Sequence, residues 1–238
     1  YAASGSEKMT LDGAVNKTAI MLAILVTTAA ISWNFPSPFM VMISYIGIFA
    51  AAISSVVTFG FWMPFIGFII NPRPYLAPKT WLVFAFGEGF FIGLISLSFE
   101  TMFPGIVLEA VSLTFCVAAT LLFLYKSGIV KPSQNFVLMV CSAVFGIFLF
   151  YIGTLIYSLV TGVSPEIFSG SSNASIGLSL FIVAMAAFSL VLDFDIIEQS
   201  AEYGSPKYME YFGAMALVTT LIWLYIEILR LLAKFRSR

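Results

Sequence analysis

TAIMLAILVTTAAISWNFPSPFMVMISYIGIFAAAISSVVTFGFWMPFIGFIINP (Thr18–Pro72) contains not one Asp, Glu, Lys or Arg. A helical crossing of the hydrocarbon core needs about 20 apolar residues, so this stretch holds two, parted by the breakers Asn34, Pro36 and Pro38. The rest of the chain repeats the pattern. Hydrophobic residues make up 61% of the 238 and charged residues 10%, against about 25% charge in a soluble domain. A soluble surface must stay largely polar, whereas lipid solvates an apolar one. Breaks at Pro, Gly, Asn and charge clusters divide the sequence into spans at 16–33, 39–60, 80–99, 104–125, 135–161, 175–198 and 208–232. Backbone groups in lipid must be satisfied within the segment, so these are helices. A β-barrel would alternate in segments of about ten residues, and no such alternation occurs.

The expected fold is therefore all-α, a polytopic membrane helix bundle of about seven transmembrane helices. Residues 1–15 form a short N-terminal cytoplasmic segment, and 16–238 a single transmembrane domain. Tyr1 is no initiator methionine, so the original start is expected to be missing or processed; no signal-peptide pattern is present. The region 61–79 reads two ways. Phe61–Ile70 is apolar but carries Pro64 and Gly67, and either extends the second helix with a kink or lies in the interface. Trp62 and Trp81 suit a headgroup-level aromatic belt.

Loop charge sets the orientation, because cytoplasmic loops collect Lys and Arg. With the N-terminus inside, the inner loops hold Lys8, Lys17, Arg73, Lys79, Lys126, Lys131 and Lys207, and the outer loops at 34–38, 100–103 and 162–174 hold none. The tail conflicts with this, because seven full spans put Arg230, Lys234, Arg236 and Arg238 outside. Either the last segment re-enters and returns, or the earlier loops outvote the tail. Tyr208–Leu232 is long enough to cross, which favours seven full spans.

Several chemistries are excluded. A net charge of −1 leaves no basic stripe for nucleic acid. The chain has no histidine, hence no His-held haem or zinc and no ordinary neutral-pH general base. Cys116 and Cys141 lie in apolar runs and read as buried free thiols. With no nucleophile motif and no phosphate loop, the chain is not expected to be an enzyme, and no cofactor is implied.

Charges inside the spans are the informative residues, because they are expensive there and tend to mark ion or proton paths. Glu88, in Phe86-Gly87-Glu88-Gly89, lies about 13 Å from the inner end and Asp193 about 15 Å. Two carboxylates from different helices thus reach a similar depth. Facing one cavity, they would share a proton or coordinate a cation, calcium being the candidate metal because it takes oxygen ligands. The plainer reading has each carboxyl protonated, or bonded to a Ser or to backbone. Asp195, two positions from Asp193, faces away by about 200°, toward a solvated or interfacial role. Glu198, Glu202 and Glu210 form an acidic inner connector, read as a hydrated loop or a cation-gathering pore mouth. Glu109 and Glu227 fall toward the outer side, where they would build a gate, or Glu227 would simply pair with Arg230 one turn away. Gly89 and Gly93 form a GxxxG that lets helices approach closely, more naturally within the bundle than in a dimer.

Five stretches together resemble the Bax inhibitor-1/YccA-like family of membrane proteins, in its compact bacterial branch: Met9-Thr10-Leu11-Asp12-Gly13 with Asn16-Lys17-Thr18; Phe86-Gly87-Glu88-Gly89 with Gly93 and Ser96; Pro104 to Ala110 with Leu124 to Gly128; Leu192 to Glu198; and Trp223 to Leu232. The resemblance runs nearly the whole chain. It implies seven helices with one central, a bacterial inner-membrane location, and a pH-sensitive calcium leak governed by paired acids on the last two helices. Asp193, followed by Ala201-Glu202-Tyr203-Gly204, matches the first acid. An ungapped match puts the second at Val218, which cannot titrate; matching Leu224-Tyr225-Ile226-Glu227 puts it at Glu227, and Glu88 is a further candidate partner. The resemblance also implies an alternative, a regulatory protein without transport that binds an FtsH-type membrane-anchored protease, with the N-terminal segment as a handle. A proton-coupled transporter is a weaker reading, since no internal repeat or paired broken helix is present.

Overall fold

In a computed structural model, residues 7–59, 73–163 and 165–238 are described. Seven long helices follow one another: α1 (Leu11–Asn34), α2 (Pro38–Phe59), α3 (Ala77–Met102), α4 (Ile106–Lys126), α5 (Gln134–Thr161), α6 (Asn173–Glu202) and α7 (Tyr208–Arg236). A 3-10 turn, Pro74–Leu76, leads into α3, and one helical turn, Glu166–Ser169, precedes α6. All seven are long and apolar enough to cross a membrane. No strand occurs among the described residues, only an isolated antiparallel bridge between Lys8 and Pro206. Phe49, Leu108, Phe123 and Leu159 are exposed, as expected where lipid is the solvent. The apolar segment 61–70, with Trp62 and the kink considered at Pro64, lies outside the described residues.

Local chemistry sets the helix ends. α1 begins at Leu11, earlier than its apolar run, because the Thr10 hydroxyl accepts a hydrogen bond from the Gly13 N–H at 3.0 Å and Asp12 sits in the first turn, where the helix dipole favours an acid. Ser133 caps α5 in the same way, accepting from Phe136 N–H at 3.2 Å. Between α3 and α4 the chain turns at Pro104-Gly105, with Gly105 at φ 84°. Glu100 secures this turn by accepting from the N–H groups of Gly105 at 2.6 Å and Val107 at 3.1 Å, two donors that α4 itself cannot satisfy.

The helices group into two compact units. The first comprises Tyr1–Ser98 and Ile196–Thr219, the second Phe99–Asp195 and Thr220–Arg238, so α6 and α7 each contribute to both. In the first unit α3 packs closely on α1. A Cβ at Gly89 would lie 2.7 Å from the Leu25 carbonyl oxygen, and one at Gly93 2.9 Å from Ala29 Cα. The GxxxG therefore serves packing within the chain. On another face Gly87 meets Gly47 of α2, and Ser44 donates to the Phe90 carbonyl at 3.1 Å. Trp81 stacks edge-on against Tyr211, with centroids 5.2 Å apart, so its ring pairs α3 with α7. The second unit has its own apolar core of Ile147, Ile182 and Met185, with Tyr151, Phe188 and Trp223 packed around it. Of the seven helices α7 is the most enclosed, with half of its apolar window buried.

Candidate functional site: carboxylates within the spans

Asp193 lies on α6 in the second unit. Thr220 of α7 hydrogen-bonds to its carboxyl group. The residue as a whole is half-buried, yet its Oδ2 is enclosed and has no hydrogen-bond partner among the described residues. Native structures rarely leave a buried polar oxygen unmatched, and such an atom calls for an explanation. Asp195, two residues on, points elsewhere, as the helical period requires. Its Oδ1 accepts from the Tyr125 hydroxyl of α4 at 3.2 Å, and the Tyr125 ring leans on Phe194 at 6.0 Å. Half-buried and hydrogen-bonded, Asp195 is tied into the bundle rather than solvated.

Glu88 belongs to the first unit. Its positions one turn away, Phe84, Ala85 and Ile92, are all buried, so Glu88 stands on the enclosed face of α3. No ion pair reaches it among the described residues.

Glu227 is handled differently. Only 2% exposed, it accepts from the Tyr151 hydroxyl at 2.7 Å and from Arg230 at 3.1 Å, while the Arg230 guanidinium lies over the Tyr151 ring at 5.8 Å. Thr220 and Glu227 are seven positions apart on α7, about 10 Å of rise. Glu227 thus sits two turns beyond the residue that bonds Asp193, in a cluster of its own. Glu109 is exposed and pairs with Arg236 at 2.7 Å, so the two acids considered for an outer gate are each occupied by a different arginine. Lys234, 8% exposed, donates to Ser179 Oγ at 2.7 Å and to the Ser175 carbonyl at 3.3 Å.

One site went unrecognised in the sequence. Glu210, assigned there to a hydrated connector, is 1% exposed. It accepts from Lys17 Nζ at 2.6 Å, from Thr10 N–H at 3.0 Å and from the Thr10 hydroxyl at 3.1 Å. Lys17 also lies 4.7 Å from the Tyr211 ring centroid. Gly13 leaves room for all this, because a Cβ there would run into the Glu210 carboxylate. Gly13 and Lys17 lie one turn apart on one face of α1 just beyond its cap Thr10, and that was the legible signal. Beside this cluster the chain from Glu7 runs along the α6–α7 turn: Met9 N–H donates to the Ser205 carbonyl at 2.8 Å and Lys207 N–H to the Glu7 carbonyl at 2.9 Å. Lys207 also bonds the Glu7 carboxylate. That hydrogen bond first, and then the charge of Glu7, push the lysine's pKa above its ordinary value.

Among the described residues no group of three or more acids and cysteines is placed to hold a metal ion. A search of curated proteins and one of solved structures find no match. The model of the family described as Bax inhibitor 1 like matches residues 1–237. With matched sequence from end to end and seven helices of spanning length, this chain belongs to the Bax inhibitor 1-like family of membrane proteins.

Proposed function

We propose that this membrane protein is a passive, pH-sensitive leak for cations, calcium foremost, governed by Asp193. The observation that carries the reading is the enclosed, unpartnered Oδ2 of Asp193 beside Thr220. A carboxylate oxygen kept free within an apolar span is a ligand for a hard cation and equally an acceptor for a proton. Cation and proton compete for it, so conduction depends on pH. Glu88, on the enclosed face of α3, is the proposed second acid. Glu227 is the weaker candidate, because Tyr151 and Arg230 already take up its charge. The protein is proposed to act in a bacterial cytoplasmic membrane, with its N-terminus in the cytoplasm.

The test is calcium entry into dye-loaded proteoliposomes between about pH 6 and 8, bracketing neutrality, for the parent and Asp193→Asn. Flux that varies with pH in the parent and loses that variation in Asp193→Asn is the expected result, and Glu88→Gln then tests the partner. No flux above empty liposomes at any pH, from folded protein, sinks the leak. Function would then pass to the regulatory reading, a partner of a membrane-anchored protease found by co-purification.

A further inference from the structure

A second polar assembly, around Glu210, lies in the first unit apart from Asp193. Glu7–Thr10 lies along residues 205–207 through two backbone hydrogen bonds and the Lys8–Pro206 bridge. Met9 is buried with Ala14 and Ile197, against Ala201, Met209 and Leu217, so its side chain is inserted into the base of the α6–α7 hairpin. The following residue, Thr10, gives both its N–H and its hydroxyl to the buried Glu210, and Lys17 completes the charge. A solvated loop contact needs neither a buried anchor nor a glycine held open for the acid. These are the parts of a fastening: an extended segment, a hydrophobic peg and an ionic latch. What they fasten is the turn joining the two helices that carry Asp193 and Thr220.

We propose that Glu7–Thr10 and the Glu210 latch form a strap that clamps the α6–α7 turn to the start of α1, and that releasing it raises ion flux. The gating half of this rests on the leak proposed above; the clamp does not. It has two states, fastened and released. A partner that takes hold of Met9 itself must first draw it out of its site, which couples such binding to the hairpin.

Two manipulations test it. Gly13→Ala drives a methyl group into the latch without altering charge, and Glu210→Gln removes the ion pair. In the other direction, Lys8→Cys with Pro206→Cys, in a Cys116→Ser and Cys141→Ser background, locks the strap on oxidation. Residues facing across an antiparallel bridge stand about 4.5–5.5 Å apart at Cα, within disulfide reach. Amide hydrogen exchange over residues 203–212 is read first. Release should speed it by about tenfold or more while α5 amides stay unchanged, the mark of local opening. Calcium flux is read second: it should rise on release, fall below the parent in the oxidised lock, and recover on reduction. Unchanged exchange in the released variants overturns the clamp. Faster exchange with equal flux in locked and released proteins overturns the gating. No flux from any of them, parent included, sinks the leak and the gating with it, while the exchange result still decides the clamp.

Discussion

Removing Lys17 leaves the Glu210 carboxylate buried beside two Thr10 donors without its hydrogen-bonded cation, with only the through-space charge of Lys207 nearby. Breaking one partner of a buried pair costs about 3–5 kcal/mol, whereas replacing both by apolar groups of similar volume is often close to neutral. Lys17→Met should therefore destabilise the protein in detergent by an amount of that order, and Lys17→Met with Glu210→Met should recover part of it, since the Thr10 N–H and hydroxyl then lose their acceptor. Equal losses in the single and double variants would show that the pair is not the stabilising element. Glu227 makes a second case. Tyr151→Phe deletes one hydrogen bond to the acid, and bonds to charged groups contribute about 1.5–3 kcal/mol; denaturant titration should find a loss in that range, moderated by Arg230. At Lys207 the sign of the pH dependence follows from its raised pKa. The pair's contribution is present below the free lysine value of about 10.4 and fades as pH rises through the higher folded value, so this contact stays made at neutral pH. Asp193 and Asp195 were legible as facing apart, because the period of 3.6 alone separates them. Glu210 was not. Its counter-ion is 193 positions away, and an acid between two spans carries no local mark of burial.

At the scale of the element, high hydropathy between Pro, Gly, Asn and charge-cluster breaks gave all seven spans, and the differences lie at their ends. α1 starts at Leu11, where Thr10 caps it, α7 runs on to Arg236, which pairs with Glu109, and α6 runs on to Glu202, each beyond its apolar run. The glycines of α3 could be counted but not interpreted in the sequence. Gly89 meets Leu25 and Thr28 of α1, while Gly146 of α5 has nothing within 4 Å. The same substitution should then differ in sign. Gly146→Ala should stabilise by about 0.4–1 kcal/mol through the unfolded chain and helix propensity. Gly89→Ala should destabilise, because the Leu25 carbonyl and the Thr28 hydroxyl cannot both give way. Thermal midpoints of the two variants decide it; a Gly89→Ala midpoint at or above the parent's would mean that α1 and α3 have slack at this crossing.

The tail charges that set the topology in conflict belong to the scale of the whole chain. α7 is 29 residues long, about 43 Å at 1.5 Å per residue, long enough to cross a core of about 30 Å. Its terminal cations are engaged one by one: Arg230 by Glu227, Lys234 by Ser175 and Ser179, Arg236 by Glu109 and the Phe103 and Pro104 carbonyls, Arg238 by Asn173. The loop-charge rule counts cations as though each were free in water, which is why hydropathy and charge alone could not choose between a crossing and a return. Every partner of Arg236 and Arg238 belongs to the α3–α4 turn, the first turn of α4 or the first residue of α6, whereas the far end of α6 leads into the turn paired with Lys8. α6 is one unbroken helix of 30 residues, so its two ends should lie on opposite faces of a membrane. Cysteines placed at Glu7 and at Arg238, in a background lacking Cys116 and Cys141, should react with a membrane-impermeant maleimide from opposite sides of sealed vesicles. Labelling of both from one side would bring α7 back to the face it left, and the pairing of Arg236 with Glu109 could not then form.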